Sequence, residues 1–268
     1  MLKRPLCVGT LLLALCACES STAPGVVGVT RQQFLIVPAE TVERMAQVSF
    51  AEQASAARAE GKLITAGPEF DRLQRIMDRL KGQVGIFRSD TKAWNWELAL
   101  IDAPVINASC APGGKVTFYT GIIRQLKLTD DEIAAIMGHE FAHALREHGR
   151  ERVSHAMAQN AVSNIALMAT EDKQLQVELA NQVAQYLFVL PNSRQNESEA
   201  DMIGLELAAR AGYNPQAAIT LWEKMGAASG GKNPPQFLST HPANTTRTAE
   251  LAAMMPAVLP LYEGRVSK

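Results

Sequence analysis

Apolar residues recur three and four positions apart along most of this chain, and in a few short stretches they alternate instead. Phe70, Leu73, Ile76, Met77 and Leu80 form one such series within 68–82, the period of a helix that buries one face. The same spacing predicts helices over 38–60, 173–190 and 215–228. Thr129-Asp130-Asp131-Glu132 has the form of a capping box and opens the apolar run Ile133 to Met137, so another helix begins there. Periodicity predicts one more over Asn196 to Leu207. Residues 94–102 alternate enough for a strand, and Val116 to Thr120, between a Pro-Gly-Gly turn and Gly121, reads as a second. That second strand is open to two readings, an internal strand or one bordering a cleft where it pairs with an extended peptide. Trp94, Trp96 and Trp222 are assigned to packing. Gly230-Gly231 and Pro234-Pro235 mark a loop. The expected fold is α+β and mostly helical, with a small sheet, and residues 38–268 suit a single domain with a sizeable core.

The chemistry enters with His139-Glu140-Phe141-Ala142-His143 inside the capped helix. His139 and His143 lie four apart, so both imidazoles leave one face and can share a metal ion at about 2.0–2.1 Å from each ring nitrogen. Glu140 is turned roughly 100° from His139. It can hold a water beside the ion as a general base without ligating. Two neutral imidazoles leave the ion Lewis-acidic, and the pattern points to a zinc peptidase with one Zn2+ per chain.

A third ligand is needed. His148 follows His143 by five residues and Arg146 stands where the metzincin pattern requires Gly, which excludes that class. His148 is assigned instead to the C-terminal end of the helix, where a polar or cationic side chain suits the dipole and Gly149 can end it. His155 is also taken as structural. The better candidate is Glu197, with Asp201 four residues on along the same face of the next helix. Glu197 can ligate while Asp201 orients a ligating imidazole from behind. Glu199 points elsewhere.

Four segments, in order, resemble the gluzincin metallopeptidase family of the CAAX prenyl protease, HtpX and BepA, over residues 68 to 255. They are His139 to His143, Glu197-Ser198-Glu199-Ala200-Asp201, the Asn107 to Gly121 stretch with its Pro-Gly-Gly, and Ser239-Thr240-His241-Pro242 followed by Arg247. The resemblance implies a zincin-like domain with the sheet beside the active-site helix, and Glu197 as third ligand. It places His241 near the metal, where it regulates access or simply completes a turn. Arg247 either stabilises an oxyanion or pairs with an acidic residue such as Asp201. It implies an endopeptidase for unfolded or misassembled polypeptides, and the absence of an apolar run of about 18 residues is closest to the small LoiP-like lipoprotein branch. The rival class is a chaperone or assembly adaptor with a latent zinc site.

The N-terminus adds a destination. Lys3 and Arg4, the apolar run Leu6 to Leu15 and then Leu15-Cys16-Ala17-Cys18 read as a lipoprotein signal over 1–17, removed to leave a lipidated Cys18 that attaches the chain to a membrane. Residues 18–37 are expected to be a flexible tether, because 19 to 30 are small and aperiodic. Glu19 in place of Asp favours the outer membrane of a bacterial envelope, facing the periplasm, and envelope proteins as substrates. Without the signal Cys110 is the one cysteine besides Cys18, so it is either buried or paired with another chain. Net charge moves from −1 for the whole chain to −3 once Lys3 and Arg4 are gone, which gives no nucleic-acid footprint.

Overall fold

The computed structural model describes residues 18–159, 185–186, 189–230, 235–242 and 246–266. The signal segment 1–17, most of the expected 173–190 helix and part of the Gly-Gly to Pro-Pro loop lie outside these residues. Helix α1 (Ala39–Ala59) and helix α2 (Pro68–Lys81) match the predicted spans. α2 starts with Pro68 in its first turn, where a missing N–H costs nothing, and buries Leu73, Ile76, Met77 and Leu80, as the periodicity demands.

The sheet contains β3 (Leu63–Ile64), β4 (Glu97–Ile101), β5 (Ala108–Ala111) and β6 (Lys115–Tyr119) in the order β3-β4-β6-β5. β4 and β6 run parallel, and the other pairs are antiparallel. The Val116–Thr120 stretch therefore resolves as an internal strand, and β5 ends the sheet. The strand expected from 94 is shorter because Trp96 turns inward onto Phe141, with ring centroids 4.6 Å apart. Leu100, Val116 and Phe118 join Ile133, Ile136 and Phe141 in the main core.

After α3 (Thr120–Gln125) comes α4 (Asp130–Leu145), opened by the predicted capping box. Thr129 N–H donates to Glu132 Oε2 at 2.8 Å, while Glu132 N–H donates to Thr129 Oγ1 at 3.3 Å. α4 closes at Leu145, earlier than the Gly149 stop that the sequence suggested. Glu147 takes a positive φ of 50°, held by ion pairs from its carboxylate to Arg150 and Arg88. His148 then opens α5 (His148–Gln159).

The remaining helices are α6 (Arg194–Arg210), α7 (Ala217–Ser229), α8 (Phe237–Thr240) and α9 (Arg247–Val266). α4 and α6 touch backbone to backbone at Gly138 and Gly204. A Cβ on Gly204 would stand 2.6 Å from His139 N, and one on Gly138 would stand 2.8 Å from Gly204 O. Only glycine permits that approach, and it carries the first turn of α6 up to the two histidines.

Residues 18–37 are not a loose tether. β1 (Cys18–Glu19) pairs with β2 (Gln33–Phe34), and Val27, Val29, Leu35 and Val37 are buried. Polar groups far along the chain hold this strap. Glu206 accepts the N–H groups of Val26 (2.8 Å) and Val27 (3.2 Å), and Ser154 Oγ accepts those of Ile36 and Val37. The fully buried Arg146 donates to Ser20 Oγ, Thr22 Oγ1 and the carbonyl of Arg31. Small residues serve here because the strap lies close against the body. No helix among the described residues is long and apolar enough to cross a membrane.

Candidate metal centre

α4 brings Glu140 and His143 to the floor of a cleft of about 400 Å³, bordered by Ala108 to Pro112 of the terminal strand and its turn, with His139 one turn away on the same helix. Glu197 arrives on the first turn of α6, whose Ser193 cap accepts from Asn196 N–H at 3.1 Å. His241 arrives at the end of α8. Its N–H donates to Phe237 O at 2.9 Å and its ring stacks on Phe237 at 4.2 Å. Asn192, just before α6, holds the same turn through its N–H to Thr240 O at 2.9 Å.

The four side chains converge. His139 Nε2 and His143 Nε2 are 3.0 Å apart, Glu197 Oε1 is 3.3 Å from His143 Nε2, and Glu197 Oε2 is 3.6 Å from His139 Nε2. His241 Nδ1 lies 3.2 Å from His139 Nε2 and 3.0 Å from Glu197 Oε1. Ligand atoms around a tetrahedral zinc ion at about 2.0–2.1 Å stand about 3.3 Å from one another, so this spacing fits. The donor chemistry fits too: three imidazoles and a carboxylate are all buried. Buried Glu140 Oε1 makes no hydrogen bond, with His241 Nε2 3.4 Å away, so a polar group stands unmet beside the donor set.

Electrostatics prepare the same set for a cation. Burial holds His143 well below the ordinary histidine value, so it stands neutral with a lone pair to offer. Burial alone would raise Glu197, but the neighbouring His241 and His143 rings hold its carboxyl far below the usual range. Glu140 moves the other way, raised chiefly by burial. Its Oε2 accepts from Cys110 N–H at 3.3 Å, which turns the carboxylate relative to β5. Cys110 itself is buried.

Asp201 stands behind His139, with Oδ1 3.0 Å from its Nδ1. Arg247 pairs with Asp201 through Nε (2.5 Å) and Nη2 (2.7 Å) and places Nη1 2.9 Å from Glu197 Oε2. Of the two readings for Arg247, pairing with acidic residues is the one the geometry shows. Its guanidinium also lies 3.5 Å above the Trp222 ring, so Trp222 carries the arginine in addition to packing. His148, weighed as a ligand from sequence and assigned instead to a structural role, has its Nδ1 2.9 Å from His143 Nδ1 and its Nε2 3.2 Å from Glu199 Oε2. Glu199 does point away from the cluster, as expected, into this second layer. No local pattern announces His148, because its partner Glu199 is 51 positions away.

The family model of peptidase family M48 matches residues 68–255. The chain belongs to peptidase family M48. This family uses zinc, and the His139, His143, Glu197 and His241 cluster is a group that could hold one such ion. The mitochondrial metalloendopeptidase OMA1 of Schizosaccharomyces pombe is 35% identical over 227 residues, covering 84% of this chain and 64% of the relative. Human metalloendopeptidase OMA1 is 31% identical, covering 63% of this chain and 34% of its own. The beta-barrel assembly-enhancing protease of Escherichia coli is 29% identical, covering 56% and 32%. The chain thus spans roughly a third to two thirds of the length of these relatives.

One expectation is overturned. OMA1 relatives from fungi, a plant and animals are named as mitochondrial, so the placement at a bacterial outer membrane facing the periplasm is withdrawn. A targeting motif and the residue after Cys18 are read by sorting machinery and are not fixed by the catalytic fold, so they carried that inference beyond what the site's chemistry supports.

Proposed function

We propose that this chain is a zinc-dependent endopeptidase acting on unfolded or misassembled polypeptides, with His139, His143 and Glu197 as metal ligands and Glu140 as general base. The observation that carries the proposal is a buried Glu140, raised by burial, whose Oε1 makes no hydrogen bond and stands 3.4 Å from His241 Nε2 beside the ligand cluster. When bound, zinc supplies a Lewis acid that polarises a scissile carbonyl and acidifies water. Glu140 is placed to accept a proton from that water and deliver it to the departing amine nitrogen. Its raised pKa suits both steps, because a stronger base also becomes a useful acid once protonated. β5, at the end of the sheet and the rim of the cleft, can take an extended peptide by main-chain pairing, which reads shape more than sequence. Unfolded chains supply such segments. The names of the relatives, metalloendopeptidases and an assembly-enhancing protease, agree with that substrate class. Acylation at Cys18 supplies membrane attachment in this reading.

Incubating the zinc-loaded chain with an unfolded protein, beside Glu140→Gln at equal zinc content, tests the proposal. Cleavage by the wild type alone is expected, and equal cleavage by both removes Glu140 as base. The position of His241 favours a second, latent state of the same enzyme. Its Nδ1 already sits at ligand spacing from Glu197 and His139, filling the place that water needs. His241→Ala then raises activity, and unchanged or lower activity with zinc retained argues against this gate.

A further inference from the structure

The two imidazoles of the H-E-x-x-H pair are held from behind by different means. His143 presents Nε2 to Glu197 and His139. Its other nitrogen, Nδ1, meets Nδ1 of the fully buried His148 at 2.9 Å. Two bare lone pairs cannot face each other at that separation, so one nitrogen carries the proton. An imidazole that offers Nε2 to a cation carries its proton on Nδ1, which makes His143 the donor and His148 the acceptor. His148 must then carry its own proton on Nε2, the atom 3.2 Å from Glu199 Oε2. A carboxylate only accepts, so the direction of the whole chain is set from its far end.

Glu199 is fixed in turn. Arg146 Nη2 lies 2.9 Å from its Oε2, and Arg31 Nε lies 2.5 Å from its Oε1. Arg31 belongs to the strap, and its Nη1 is held by Glu151 at 2.5 Å. The strap, α5 and α6 thereby converge on one carboxylate whose other bond runs to a ligand histidine.

We infer that His148 and Glu199 are positioning residues for the metal centre: their two-bond relay fixes the tautomer and ring plane of His143 and so sets the affinity of the site for zinc. The inference rests on His143 being a ligand. General experience with partners behind metal ligands puts their loss at about 10- to 100-fold in metal affinity. Nothing in the relay touches substrate, so its signature is in metal binding and imidazole protonation.

Two variants of the full chain separate positioning from simple packing. His148→Leu keeps bulk but offers His143 no acceptor and Glu199 no donor. His148→Gln can accept from Nδ1–H through its carbonyl and donate to Glu199 through its amide. Chelator competition should show zinc binding about 10- to 100-fold weaker in His148→Leu and largely restored in His148→Gln. Wild-type affinity in His148→Leu overturns the inference, as does Gln behaving no better than Leu. Nitrogen-resolved NMR of the zinc-loaded wild type needs no variant to fold. His148 is expected to show a protonated Nε2 and a bare Nδ1, and a proton on Nδ1 overturns the relay. A wild type that takes up no zinc overturns the ligand assignment itself, whereas zinc bound with unchanged affinity in His148→Leu overturns the relay alone.

Discussion

His139 and His143 lie one turn apart on the same helix and face the same site, yet they are braced by different depths of structure. Behind His139 a carboxylate is in direct contact, Asp201 at 3.0 Å. Behind His143 a second imidazole intervenes before Glu199 is reached. Glu199 and Asp201 are two residues apart on α6, about 200° around it, so one helix can serve both histidines from two sides. Their outer supports differ as well. Arg247 on α9 clamps Asp201, while Arg146 and the strap residue Arg31 share Glu199. The direct arm concentrates its bonds in one pair, and the relay spreads them over several donors. A concentrated brace is the more sensitive to a single loss.

Asp201→Ala should therefore show the largest effect. It strips the acceptor from Arg247 and from His139 Nδ1 in a buried site, where breaking one partner of an ion pair costs about 3–5 kcal/mol. Zinc affinity should fall toward the 100-fold end of the usual range of about 10- to 100-fold. Urea denaturation and chelator competition measure the two losses, and a stability change below about 1 kcal/mol would remove the contrast. Arg31→Met should matter less, because Glu199 keeps Arg146 and His148. A loss of about 1.5–3 kcal/mol, the value of a hydrogen bond to a charged group, is expected by the same denaturation assay. Losses as large as those of Asp201→Ala would show that the relay is no better buffered.

The smallest effect is a pH signature of that second variant, measured on zinc-free protein. Burial works against Glu199 ionisation, but His148, Arg31 and Arg146 overcome it and hold its pKa at about 2, well below the ordinary carboxyl value. A depressed carboxyl contributes stability that is full above its unfolded pKa and is lost as pH falls through the folded one. The gap between wild type and Arg31→Met should stay constant above about pH 5 and close as the pH drops from about 4.5 to about 2. A gap that persists at pH 2 would place the work of Arg31 elsewhere.

The direct arm was legible in the chain and the relay was not. His139, His143, Glu197 and Asp201 each sit at a four-residue interval on a helix, and helical geometry converts that interval into a shared face. The capping box of Thr129 and Glu132 announced where the first of these helices begins. His148 lies five residues past His143, a spacing with no helical meaning once Glu147 turns the chain at φ 50°. The nearby Gly149 looked like the stop, but a non-glycine residue made the turn because two arginines pay for it with ion pairs to its carboxylate. The strap was misread for a related reason. Its small, aperiodic residues resemble a tether, and its anchors, Arg146 and Glu206, lie more than 100 positions away. That β5 is the strand at the end of the sheet was likewise hidden, since which strand ends a sheet is decided by pairing and not by composition. Fold class, the ligands His139, His143 and Glu197 and the bracing Asp201 follow from local periods, His241 is reached only through the family resemblance, and the relay behind His143 depends on long-range contacts that no local period encodes.

α4 and α6 together build one zinc site, and zinc content per chain measures whether they do. Wild type and Glu197→Ala would be loaded, dialysed identically and assayed for bound metal alongside a check of folding by circular dichroism. One equivalent is expected in the wild type, and a folded Glu197→Ala should retain less than about a tenth of it, since removing the carboxylate takes the one anionic ligand from the tetrahedral set. A folded Glu197→Ala that keeps a full equivalent at wild-type affinity would contradict that shared site.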